Sequence, residues 1–144
     1  MAAHGPRLVL VVDDDEDMVE LVKMVLRDAG YAVCSESTAD GAFERVLDGE
    51  DGVARPVDLV LTDMRLGRSS GIELIAALRG ICARLPVLLM TGFVSRELRD
   101  VAAVFDADVL DKPFSLEKLR GAVKATFAVA PRSRSDAEIA GDEF

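Results

Sequence analysis

Residues 8–17 read LVLVVDDDED, an unbroken apolar run that passes directly into five acids. Five consecutive apolar residues, Leu8 to Val12, describe a strand buried on both faces. Asp15, Glu16 and Asp17 follow where a helix would begin, and the positive end of a helix dipole favours anions there. Met18, Leu21, Val22, Val25 and Leu26 then recur at the spacing of one helical face. Gly30 is suited to ending that helix. The stretch is therefore a strand–helix unit with acids placed where the strand stops.

The same pattern recurs along the chain. Tyr31 to Ser35 reads as a second strand, and Ala39 to Leu47 as a second helix with Thr38 as its N-cap. Turn residues fill Asp48 to Pro56. Val57 to Thr62 is a third strand, followed by a loop through Gly67, Ser69 and Ser70. A third helix, Gly71 to Ala83, places Ile72, Ile75, Leu78 and Cys82 on one face. Pro86 to Met90 is a fourth strand, and Ser95 caps a helix built around Leu98, Val101, Ala102 and Phe105. Asp108 to Leu110 is a short fifth strand. Ser115 caps a last helix with Leu116, Leu119, Val123 and Phe127 inward. Five βα units with buried strands predict an α/β fold, a parallel sheet with helices on both faces. Residues 1–6 read as a leader, 7–130 as the domain, and the Ser-, Arg- and acid-rich 131–144 as a tail or linker.

Composition narrows the chemistry. In 144 residues, 26 acids stand against 17 bases, a net charge of −9 that disfavours binding to a phosphate backbone. The longest uncharged stretch, Leu85 to Ser95, is 11 residues, against about 20 for a membrane span. No signal-peptide profile opens the chain, so a cytoplasmic location is expected. Cys34, Cys82 and His4 cannot build a disulfide framework or a zinc cluster. Both cysteines read as buried thiols, and Met18, Met24, Met64 and Met90 as core filler. Any catalysis must use carboxylates, hydroxyls, lysines or a metal.

In a parallel α/β sheet, functional groups gather beyond the carboxyl ends of the strands. Asp13 and Asp14 follow the first strand, Asp63 the third, Thr91 the fourth, and Lys112 with Pro113 the fifth. Three carboxylates against one ammonium leave a charge of −2 in one place, and a divalent cation with oxygen ligands, such as Mg²⁺, would match it. Thr91 and Lys112 are donors suited to an anionic oxygen. Donors and a metal around a carboxylate suit a transferring phosphoryl group, with an Asp at the centre.

The motifs VVDDDED, LVLTDMRLGRSSG, LLMTG and LDKPF, with Gly71 eight residues after Asp63, resemble the receiver domain of two-component response regulators from Arg7 to Val129. The resemblance implies a doubly wound, flavodoxin-like (CheY-like) sheet of five parallel strands in the order 2-1-3-4-5. It also implies that Asp63 is the phosphoacceptor and that Asp13, Asp14, Asp63 and the backbone carbonyl of Arg65 hold Mg²⁺. Thr91 and Lys112 would contact the phosphoryl oxygens, and Pro113 would fix its loop, through a cis bond if the family pattern holds. The implied partners are a sensor histidine kinase or phosphotransfer protein and a downstream protein or output domain, with a homodimer also allowed. The donor histidine would belong to the partner, which suits a chain whose one histidine is peripheral. The chain would catalyse its own phosphorylation and slow dephosphorylation without being a turnover enzyme. Its readout would be a conformational switch on the face around the fourth helix, fifth strand and fifth helix.

Four positions qualify the resemblance. Val109 stands where an aromatic is common, Gly67 where a proline is common, and Arg65 and Phe93 occupy the variable positions flanking the site. Gly67 is expected to loosen the loop after Asp63. Two other readings compete. A haloacid-dehalogenase-like phosphatase would use Asp13 and Asp15, but it leaves Asp63 unexplained. A pseudo-receiver would bind partners without phosphorylation, although all five core positions are present.

Overall fold

The computed structural model describes residues 5–129. His4, most of the expected leader, and the tail from 131 lie outside the described residues. The strand that opens the chain, β1 (Leu8–Val12), is buried along its whole length. Its side chains divide by parity. Leu8, Leu10 and Val12 enter one core cluster, while Val9 and Val11 enter another. A strand with apolar groups on both sides must lie inside a sheet covered on both faces. The sheet is built on it: β2 (Ala32–Glu36) and β3 (Leu59–Asp63) flank β1, and β6 (Val87–Thr91) and β7 (Ala107–Asp111) continue beyond β3. All four pairings are parallel, in the order β2-β1-β3-β6-β7. Counted as five sheet strands, this is the expected 2-1-3-4-5.

Helices α1 (Glu16–Asp28) and α5 (Leu116–Ala128) cover the Val9 face through Val22, Leu26, Leu119 and Val123. Helices α2 (Ala39–Glu50), α3 (Gly71–Ile81) and α4 (Arg96–Val104) cover the Leu10 face. The expected caps hold at Thr38, Ser95 and Ser115, each accepting a backbone N–H from the first turn of its helix.

The differences from the sequence reading have local causes. The inward face of α1 is turned toward Val19, so Leu21 lies at the surface and Met24 is 60% exposed rather than core filler. Leu116, expected inward, is 41% exposed in the first turn of α5, and Val101 of α4 is also exposed. Leu74 is buried in α3, whereas Ile72 and Cys82 are half-buried. Cys34 and Cys82 are likewise half-buried rather than enclosed. Helix α2 runs on to Glu50 through Gly49, which had read as a turn residue. A side chain at 49 would meet the Pro56 Cα at 2.9 Å, so this glycine lets the returning chain pass close to the helix. The loop after Asp63 contains a small hairpin, β4 (Arg65–Leu66) with β5 (Ser69–Ser70). Gly67, expected to loosen this loop, instead turns the hairpin at φ 62°.

Candidate functional site

The carboxyl ends of β1, β3, β6 and β7 converge on one edge. β1 delivers Asp13, whose backbone N–H donates to the Glu36 carbonyl at 3.2 Å as the chain leaves the sheet. Asp13 Oδ1 accepts the Asp15 N–H at 3.0 Å. Asp15 in turn caps α1 by accepting the N–H groups of Asp17 and Met18 at 3.0 and 3.3 Å. The acid run is thus divided by role. Asp15 starts the helix, and Asp13 and Asp14 face the site.

Asp63 ends β3. Oxygens of Asp13, Asp14 and Asp63 all lie within 4.8 Å of one another. The loop behind Asp63 is drawn tight by Gly71, whose N–H donates to the Met64 carbonyl at 2.7 Å. A side chain at 71 would sit 2.5 Å from the Asp63 carbonyl oxygen and 2.7 Å from Leu89 Cδ1. The spacing of Gly71 from Asp63 therefore follows from close packing of the α3 start under the site. Arg65 pairs with Ser70 in the hairpin, which fixes its backbone two residues after Asp63, and Ser70 Oγ caps α3 by accepting the Glu73 N–H at 3.1 Å. The hairpin and the Ser70 cap were not foreseen. Their signal was present in Gly67-Arg68, a glycine-first two-residue turn.

Thr91 is buried at the end of β6, and its Oγ1 accepts the Phe93 N–H at 3.1 Å, which leaves the hydroxyl hydrogen to be donated. The Thr91 carbonyl accepts the Lys112 N–H at 2.7 Å, tying the ends of β6 and β7 together. Lys112 Nζ reaches Asp63 Oδ1 at 2.7 Å. The Lys112–Pro113 bond is cis. Phe93 is 83% exposed at the rim, and Arg65 is also exposed.

The electrostatics are those of an acidic site with one built-in cation. Asp13 is 3% exposed, and its Oδ2 is a buried oxygen with no hydrogen-bond partner. Burial pushes the Asp13 carboxyl above its ordinary range. Asp63 and Asp14 push the same way, against the Asp15 amide and Lys112. An orphaned buried oxygen beside two further carboxylates is a set of hard oxygen donors, and it fits a hard divalent cation.

A family model described as the response regulator receiver domain matches residues 9–124. The chain belongs to the response regulator receiver domain family. As a receiver domain of two-component systems it is 35% identical over 112 residues to the response regulator receiver protein CpdR of Brucella abortus, covering 77% of this chain and 88% of that protein. It is 31% identical over 121 residues to the transcriptional regulatory protein ZraR of Escherichia coli O157:H7, covering 83% of this chain but 26% of that protein. The receiver fold is also that of the chemotaxis protein CheY4 of Vibrio cholerae, at a TM-score of 0.76 and 26% identity over 85% of this chain and 99% of that one. No helix among the described residues is long and apolar enough to cross a membrane.

Proposed function

We propose that this receiver domain accepts a phosphoryl group on Asp63 from a phosphohistidine of a sensor histidine kinase or phosphotransfer protein. The observation that carries the reading is the Lys112 ammonium 2.7 Å from Asp63 inside a cluster of three carboxylates. An Asp63 oxygen attacks phosphorus, the P–N bond of the donor breaks, and the histidine leaves with the electron pair. The product is an acyl phosphate on Asp63. Asp13, Asp14, Asp63 and the Arg65 carbonyl would hold Mg²⁺. That ion supplies charge neutralisation for the phosphoryl oxygens. Lys112 holds Asp63 in place before transfer and then has a second anion to neutralise. The Thr91 hydroxyl, free to donate, turns toward the new phosphoryl oxygens.

Thr91 and Lys112 join the ends of β6 and β7, so a shift at Thr91 is felt on the α4–β7–α5 face. Phosphorylation then moves a pre-existing equilibrium between two forms of that face. Val109 replaces a common aromatic on β7, so the readout does not require an aromatic flip. The domain acts in the cytoplasm on a downstream protein or an attached output domain, is modified once per donor, and does not itself bind nucleic acid. Intact mass spectrometry after incubation with acetyl phosphate and Mg²⁺ tests the reading. One phosphoryl adduct is expected on wild type and none on Asp63→Asn. No adduct on wild type with any phosphodonor would make the chain a phosphorylation-independent binding module.

A further inference from the structure

Helix α4 links the rim of the site to the opposite pole of the domain, and its two ends are held very differently. At its start, Ser95 lies four residues beyond Thr91, and the cap is a single hydroxyl accepting the Leu98 N–H at 3.0 Å. Along its length, Ala102 is the one buried side chain among its nine residues. At its end, a cation from another helix takes hold. Arg79, in the last turn of α3, donates from Nε to the Phe105 carbonyl at 2.6 Å and from Nη2 to the Asp106 carbonyl at 3.2 Å. Its Nη1 donates to the carbonyls of Leu85 at 2.6 Å and Cys82 at 3.3 Å. Four backbone carbonyls from two turns therefore converge on one guanidinium.

Phe105 is the C-cap of α4, so Arg79 places a positive charge at the negative end of that helix and satisfies a carbonyl the helix leaves unpaired. Asp106 follows in the left-handed region at φ 54°, a conformation that a short polar residue tolerates and that its bonded carbonyl helps to hold. The same turn borders an open cavity of about 510 Å³ lined by Ala103, Asp106, Thr126 and Val129 among others. On its sheet side that end packs against the core through Ala102 and Phe105, and beside the cavity directed hydrogen bonds add to the attachment. The planar fork of arginine reaches both turns at once, which a lysine cannot do.

We infer that Arg79 is the pin about which α4 turns: it fixes the C-terminal end of the helix, so that displacement begun at Thr91 swings the N-terminal end. The phosphorylation-dependent half of this inference rests on the proposed function. The half that concerns the resting protein does not. Amide hydrogen exchange followed by mass spectrometry separates them, on wild type, Arg79→Met and Arg79→Lys, each with and without acetyl phosphate and Mg²⁺, with adducts counted by intact mass. In unphosphorylated Arg79→Met, exchange across 102–107 is expected to rise about tenfold over wild type while β1 and β3 stay protected, with Arg79→Lys in between. In wild type carrying the adduct, exchange is expected to rise across 94–99 and to stay unchanged across 102–107. Wild-type protection across 102–107 in Arg79→Met would overturn the pin, as would equal change at both ends of α4 on phosphorylation. If Arg79→Met does not fold, Arg79→Lys with undiminished protection overturns it equally. Absence of any adduct would contradict the function proposed for Asp63, and the unphosphorylated comparison would still decide the pin.

Discussion

Of the three clustered carboxylates, Asp13 is the buried one, and its Oδ2 faces no donor. The folded protein therefore holds the Asp13 proton more tightly than the unfolded chain does. In cation-free protein this contribution to stability is fully present below the ordinary value of 3.8 and is lost as pH rises through the raised folded value. Asp13→Asn removes the charge and keeps the shape. Without divalent cations the Asn variant is expected to melt above wild type at neutral pH, with the gap closing below pH 3.8. With Mg²⁺ present the wild type is expected to gain stability and the variant to gain little. Thermal melts with chelator and with Mg²⁺ check this, and a wild type more stable than the variant in chelator would contradict it. On the function proposed for Asp63, exposed Phe93 and Arg65 at the rim would hinder water from the phospho-aspartate. A Phe93→Ala, Arg65→Ala double variant is expected to lose its phosphoryl group several-fold faster than wild type, followed as decay of the adduct. An equal or longer lifetime would refute that shielding.

At the scale of elements, the site depends on how α3 begins. Gly71 lies under the Asp63 carbonyl with no room for a methyl group. Gly71→Ala is expected to cost about 1–3 kcal/mol through overpacking. It should also slow phosphorylation, because the backbone carrying Asp63 is what must move. Denaturant unfolding and the rate of adduct formation report the two effects, and a loss of stability without a change in rate would separate the glycine from the site. Most elements were legible in the chain because their signals are local. The buried runs of β1, β3 and β6, hydroxyl caps at Thr38, Ser95 and Ser115, and helical periodicity each declare themselves within a few residues. What was illegible depends on neighbours in space. The rotation of α1 that buries Val19 and exposes Met24 is set by how α1 lies on the sheet, and α2 continues through Gly49 because the chain at Pro56 comes back against it. The hold of Arg79 on the α4–β7 turn joins residues 26 and 27 apart in sequence, with no pattern to announce it.

For the whole molecule, the topology explains the convergence of the site. β1, β3 and β6 are neighbours at the middle of a parallel sheet, so residues ending those strands must meet on one edge, and β7 brings Lys112 beside them. The candidate residues Asp13, Asp14, Asp63, Thr91 and Lys112 could be named from the sequence because each stands at or within two residues of a strand end, although the β7 signal is short and weak. The internal asymmetry of the cluster could not be. That Asp13 is buried with its Oδ2 unpaired, Asp14 exposed, and Asp63 already paired with Lys112 depends on what surrounds each side chain in space. The net charge of −9 finds a partial use in this arrangement. A pocket of −2 suits a divalent cation, and on the function proposed for Asp63 that cation would offset the excess before a negatively charged phosphoryl group arrives. The most direct test of this account is to trap the phosphorylated protein with borohydride, which reduces an aspartyl phosphate to homoserine, and to sequence its peptides. Homoserine at position 63, dependent on Mg²⁺ and absent at Asp13 and Asp14, is the expected result; homoserine at another acid, or at none, would contradict it.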